Sequence, residues 1–138
     1  MTGGLSGWAF DTVLVSNRGE IARRVIRTAR RLGLRTVAVY STADIAAPHV
    51  READEAVLIG KSRPQDSYLN GPGILSAAKF SGAGAIHPGY GFLSENADFA
   101  RQVEEAGLAF VGPTPAHLEA FGAKHTARAL PATVAPVL

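Results

Sequence analysis

Short apolar runs rich in β-branched residues alternate along this chain with longer segments of helical period. Residues 12–15, 36–40, 56–59, 84–86 and 108–111 read as buried strands, and helices are expected at 20–33, 72–82 and 95–106. A shorter helix is expected at 49–53. Strands that are apolar on both faces, separated by helices, predict a parallel sheet covered on both sides, which is an α/β domain of three layers and about five strands.

The first helix carries the clearest pattern. On a wheel advancing ~100° per residue, Ile21, Ala22, Val25, Ile26, Ala29 and Leu32 fall within an arc of roughly 140°. Arg23, Arg24, Arg27, Arg30 and Arg31 lie opposite, and Gly33 supplies a C-terminal stop. The arginine face reads as a solvated helix surface, with a partner-facing surface as the alternative. No stacking aromatics lie between the arginines, which argues against single-stranded nucleic acid. Asn70 before Gly71 and Pro72 reads as an N-cap with proline in the first turn.

At 138 residues the chain has room for one domain and a stub of a second. Net charge is only +2, so the calculated pI of 9.3 points to no polyanionic partner. The absence of cysteine excludes disulfides and thiolate metal sites and fits a cytoplasmic chain. The N-terminal residues have no basic cluster followed by an apolar core, and no run approaches the ~20 apolar residues of a membrane span. Beyond residue 114 the pattern weakens. A helix over 117–130 would be interrupted by Gly122 and ended by Pro131, and the apolar remainder reads as a chain cut before its next domain.

Chemistry concentrates at two strand ends. In Ser16, Asn17, Arg18, Gly19 and Glu20 there is one glycine where a dinucleotide pyrophosphate needs three, so bulky side chains exclude NAD or FAD from this turn. Asn17, Arg18 and Glu20 read as a hydrogen-bonded loop bracing strand ends, with direct ligand contact as the alternative. At residues 86–96 an apolar run stops at Pro88. The turn Gly89, Tyr90, Gly91 follows, and then Ser94 with acidic neighbours opens a helix. Glycines there free the backbone angles and leave amide groups accessible, at the kind of strand-to-helix junction where α/β domains bind ligands. His87 reads as a hydrogen-bonded loop residue rather than a general base. His117 and His125 are eight apart, roughly 12 Å along one helix, too far for two ligands each ~2 Å from one zinc ion.

Five segments, residues 16–22 (SNRGEIA), 49–56 (HVREADEA), 67–70 (SYLN), 85–96 (AIHPGYGFLSEN) and 110–113 (FVGP), occur in an order and spacing that resembles the N-terminal domain of biotin carboxylases. The resemblance covers about residues 10–130. It implies a Rossmann-like, pre-ATP-grasp domain over residues 1–114, followed at 115–138 by a connecting helical segment leading into an absent ATP-grasp domain. Residues 121–128 (FGAKHTAR) look closer to the urea carboxylase, or urea amidolyase, branch than to the MGDK pattern of acyl-CoA carboxylases.

What the resemblance implies is ATP-dependent carboxylation of biotin by bicarbonate, through carboxyphosphate. ATP, biotin on a carrier domain and magnesium are the implied cofactors, with metal ligands supplied by the ATP-grasp domain. Lys124, by itself an ordinary solvated lysine, matches the family lysine that contacts ATP phosphate. Tyr90 and Gly91 match positions lining the biotin approach. Arg24 and Arg27 match positions near a dimer interface, where a family acidic partner is replaced by Arg31. The implied partners are the ATP-grasp and carrier parts of the carboxylase and a second copy docking through the arginine helix. No catalytic residue is expected within the chain, which by itself should be inactive. The alternative is a non-catalytic interaction or regulatory module that keeps this fold.

Overall fold

The structure, a computed structural model, describes residues 10–112. Five strands, β1 (Thr12–Val15), β2 (Arg35–Ser41), β3 (Glu55–Gly60), β4 (Ala85–His87) and β5 (Ala109–Phe110), form one sheet in the order β3-β2-β1-β4-β5. Every neighbouring pair is parallel. Helices α1 (Gly19–Arg31), α2 (Pro48–Glu52), α3 (Gly71–Ser81) and α4 (Ala97–Glu105) fill the connections. The α/β, parallel, five-stranded expectation is therefore what the chain adopts.

Alternation of side chains along β1 explains the three layers. Val13 and Val15 join Ala22, Val25, Ile26 and Ala29 of α1 in one core. Leu14 points the other way, into a core with Ile74 and Ala78 of α3 and Phe99 and Val103 of α4. All four β1 residues are buried, and the one polar side chain among them, Thr12, is satisfied by a hydrogen bond from its hydroxyl to Asp11 Oδ1 at 3.0 Å. No helix among the described residues is long and apolar enough to cross a membrane.

The caps confirm two local readings and correct a third. The Asn70 side chain accepts the Gly73 N–H at 3.1 Å, with Pro72 in the first turn of α3. Gly33 takes φ +87° after α1, and the Leu34 N–H closes back on the Ala29 carbonyl at 3.0 Å. The fourth helix, however, begins at Ala97 rather than beside Ser94: Asn96 caps it, accepting the Phe99 N–H at 2.9 Å. Leu93 is buried and pins the preceding residues as a turn, in which the Ser94 N–H donates to the Gly91 carbonyl at 2.9 Å.

Residues 1–9 and 113–138 lie outside the described residues. With them lie Lys124, His117, His125, Pro131 and the expected connecting segment.

Candidate functional site

The chain runs outward from β1 through β2 to β3 on one side, then returns to lay β4 and β5 on the other. The connection therefore reverses between β1 and β4, and their carboxyl ends open the crevice where such sheets receive ligands. Both sequence segments singled out for chemistry meet there. The Ser16 N–H donates to the His87 carbonyl at 3.0 Å, joining the two turns at their base.

Asn17 fastens them together. Its Nδ2 donates to the Pro88 carbonyl at 2.8 Å and to the Tyr90 carbonyl at 2.7 Å, while its Oδ1 accepts the Arg18 N–H at 2.8 Å. The buried carboxamide is thus committed to the protein, as the bracing reading requires. Arg18 braces as well: Nε donates to Asp44 Oδ2 at 2.6 Å and Nη2 to Asp44 Oδ1 at 2.7 Å. Glu20 does not. It is exposed and pairs with Arg23, at 3.5 Å on its own helix.

The two glycines of the candidate ledge differ. Gly89 (φ +67°) is buried, and a β-carbon there would stand 2.7 Å from Asn17 Nδ2 and 2.8 Å from Ile21 Cγ2. Gly91 (φ +68°) is exposed, with nothing within 4 Å of the same position. Tyr90 is 49% exposed beside it. The accessible ledge is accordingly Tyr90 and Gly91, while Gly89 serves close packing. His87 belongs to the strand rather than the loop. It pairs with Val15, is fully buried, and its Nδ1 accepts the Gly89 N–H at 3.1 Å. Sealed from solvent and oriented this way, it is a scaffold residue.

Sequence reasoning missed Asp44 and Tyr68. The Tyr68 hydroxyl donates to Asp44 Oδ2 at 2.7 Å and accepts the Ser41 N–H at 3.2 Å. The Arg18 hydrogen bond, aided by that of Tyr68, outweighs burial and holds the Asp44 carboxyl down to about 2. Burial, with the hydrogen bond to Asp44, pushes the Tyr68 phenol up to about 12. The Arg18 guanidinium is raised by the same carboxylate. Asp44 is 26 residues from Arg18 and 24 from Tyr68, so no local spacing announces the cluster.

The arginine face is partly answered from within the chain. Arg23 and Arg27 both donate to Glu52 Oε2, at 2.8 and 3.3 Å, and Arg30 reaches Asp54 Oδ1 at 2.7 Å. These partners lie on and just after α2, so part of the helix surface docks a neighbouring element. Arg24 remains exposed.

A parallel sheet with an exposed glycine turn at its reversal point and braced neighbouring loops is an α/β domain with an open crevice at the carboxyl ends of β1 and β4. Comparison with known proteins narrows this: residues 9–118 match the family described as the biotin carboxylase N-terminal domain, and the chain belongs to it.

An Emericella nidulans protein bearing a provisional urea carboxylase name is 57% identical over 122 residues, covering 88% of this chain and 10% of that protein. The mitochondrial methylcrotonoyl-CoA carboxylase subunit alpha of Oryza sativa is 58% identical over 120 residues, 87% of this chain and 16% of that protein. Among solved structures, the biotin carboxylase domain of Hydrogenobacter thermophilus 2-oxoglutarate carboxylase, a dimer with MgADP, ADP and bicarbonate, superposes with a TM-score of 0.71 at 54% identity. That match covers 80% of this chain and 24% of the other. The chain thus spans between a tenth and a quarter of the length of these relatives.

Proposed function

We propose that this chain supplies the N-terminal wall of a biotin-dependent carboxylase of the urea carboxylase type, in which biotin is carboxylated by bicarbonate at the expense of ATP. The observation that carries this reading is the exposed segment of Tyr90 and Gly91 at the sheet's reversal point, the positions that resemblance assigns to the biotin approach. A bare backbone there lets a flat ureido ring come close without meeting a β-carbon.

The urea assignment rests on residues 121–128, since overall identity does not separate urea carboxylase from methylcrotonoyl-CoA carboxylase relatives. Lys124 in that segment would hold ATP phosphate by charge. Residues 115–138 would lead into the ATP-grasp domain, which brings magnesium and most nucleotide contacts, and a cytoplasmic enzyme with a biotin carrier domain is the expected setting. Among the described residues no group of three His, Asp or Glu side chains could hold a metal ion. In-line phosphoryl transfer needs bound metal and positive charge around the transferred group. By itself, then, the chain would bind and position but not turn over.

A bicarbonate-dependent ATPase assay, run on the isolated chain and on the chain joined to an ATP-grasp domain, tests this. The expected result is no turnover by the first and biotin-stimulated turnover by the second. Turnover by the isolated chain would refute the division of labour. A joined protein with no biotin response would favour the interaction-module reading instead.

A further inference from the structure

Four loops leave the carboxyl ends of β1 to β4, and one side chain from each joins a continuous chain of contacts. Arg18, after β1, grips Asp44, after β2, through two hydrogen bonds of 2.6 and 2.7 Å. Asp44 accepts from Tyr68, which stands before α3, at 2.7 Å. The Tyr68 ring stacks on Phe92, after β4, with centroids 5.3 Å apart and planes inclined at 27°. Asn17 closes the circuit by holding the Tyr90 carbonyl at 2.7 Å. Tyr90 and Gly91 are therefore suspended between two anchors, Asn17 on one side and the Phe92–Tyr68 stack on the other.

Phe92 pays a conformational cost to occupy its place. Its φ is +46°, the only positive value outside glycine among the described residues. A bulky side chain is disfavoured in that region, where glycine sits freely. The ring is also 36% exposed, so burial alone does not explain an aromatic there. What an aromatic provides and glycine lacks is the contact with Tyr68, a side chain only 2% exposed and fixed at its hydroxyl by Asp44 and the Ser41 N–H.

We infer that Phe92 is a positioning residue whose ring, stacked on Tyr68, holds Tyr90 and Gly91 in their exposed arrangement at the crevice. The functional consequence rests on the reading of those two residues as the biotin approach; the structural one does not. Arg18 and Asp44, on the opposite side of the crevice, act on the ledge through Tyr68.

Amide hydrogen exchange on the 15N-labelled 138-residue chain tests the inference. The reporter is the Ser94 amide, which donates to the Gly91 carbonyl at 2.9 Å. Phe92→Gly relieves the backbone and removes the ring, so the two explanations predict opposite results. If the ring holds the turn, Ser94 exchange, corrected for intrinsic rates, accelerates tenfold or more while β1 amides keep their protection. If the backbone holds it, exchange is unchanged or slower, and the inference is overturned. Phe92→Leu, which keeps an apolar side chain without an aromatic face, decides the question in the same way should the glycine variant not fold. Phe92→Tyr should restore wild-type exchange; failure to do so also overturns the assignment. Biotin added to the same samples separates the two levels. Wild-type shifts at the Tyr90 and Gly91 amides that weaken fivefold or more in Phe92→Gly support the inference at the proposed site. No wild-type shift would count against biotin as the ligand of this ledge, while the exchange result still decides whether Phe92 positions it.

Discussion

The Asn17 carboxamide donates to the Tyr90 carbonyl at 2.7 Å across 73 residues of sequence. With its second bond, to the Pro88 carbonyl, it ties the first strand–helix turn to the exposed ledge. Asn17→Ala leaves two carbonyls short of a donor and should destabilise the chain by about 1–3 kcal/mol. Asn17→Asp should cost more, because a carboxylate oxygen would face those carbonyls. Urea unfolding of the two variants checks the order; equal stability of Asn17→Asp and wild type would contradict it.

Asp44 should govern part of the acid sensitivity. Its folded-state value of about 2 lies below the ordinary 3.8, so its contribution is complete above about pH 5 and is lost as pH falls from 4 toward 2. Because Arg18 is half exposed, solvent screening limits that contribution to about 1–2 kcal/mol. Asp44→Asn should make the acid limb of a circular-dichroism titration shallower over that interval, while lowering stability at pH 7.

His49 gives a second, separate pH dependence. It is fully buried, and its Nε2 lies 3.1 Å from the Val39 carbonyl, so Nε2–H is the donor. Burial pushes its value below 6.5, a direction also favoured by Arg18 and opposed by the Val39 carbonyl, Asp44 and Glu52. A base with a depressed folded-state value is most stabilising above its unfolded value and loses that contribution as pH falls below about 6.5. Melting temperatures compared at pH 7.5 and 5.5 should differ less in His49→Gln than in wild type, although the variant loses about 1 kcal/mol at the higher pH.

Gly89 and Gly91 should respond differently to substitution. Gly89→Ala places a β-carbon against Asn17 and Ile21 and should cost about 2–4 kcal/mol in folding. Gly91→Val meets open space but a positive φ, which strains the turn by about 1–3 kcal/mol and leaves the fold intact. In a carboxylase assembled as proposed above, the second variant should lose biotin carboxylation. Unchanged carboxylation would reduce the ledge to a connector.

Lys124→Ala, in the same proposed assembly, should raise the KM for ATP severalfold with little effect on the KM for biotin. An unaltered KM for ATP would remove Lys124 from the nucleotide site.

Local rules made much of this fold readable in the sequence. The positions of the strands, the buried stripe of α1, the Asn70 cap and the Gly33 stop depend on side-chain period and on backbone preferences within a few residues. The strands stand within about a residue of their expected bounds, Ala22, Val25, Ile26 and Ala29 of the stripe are buried while Ile21 and Leu32 are partly so, and the cap and the stop stand as expected. The start of α4 is ambiguous in the sequence because Ser94 and Asn96 are both competent caps, and burial of Leu93, a tertiary event, favours Asn96. Only the tertiary structure sets β1 beside β4, seals Gly89 while exposing Gly91, and turns His87 inward as a strand residue. The contacts of Arg18 with Asp44, Asp44 with Tyr68 and Tyr68 with Phe92 likewise join loops brought together by strand order, which separations of some 24–26 residues in sequence cannot reveal. Sequence alone determined the elements and the family resemblance. Packing decided which side chains are spent on holding the crevice and which remain open to a ligand, because both depend on neighbours supplied by distant parts of the chain.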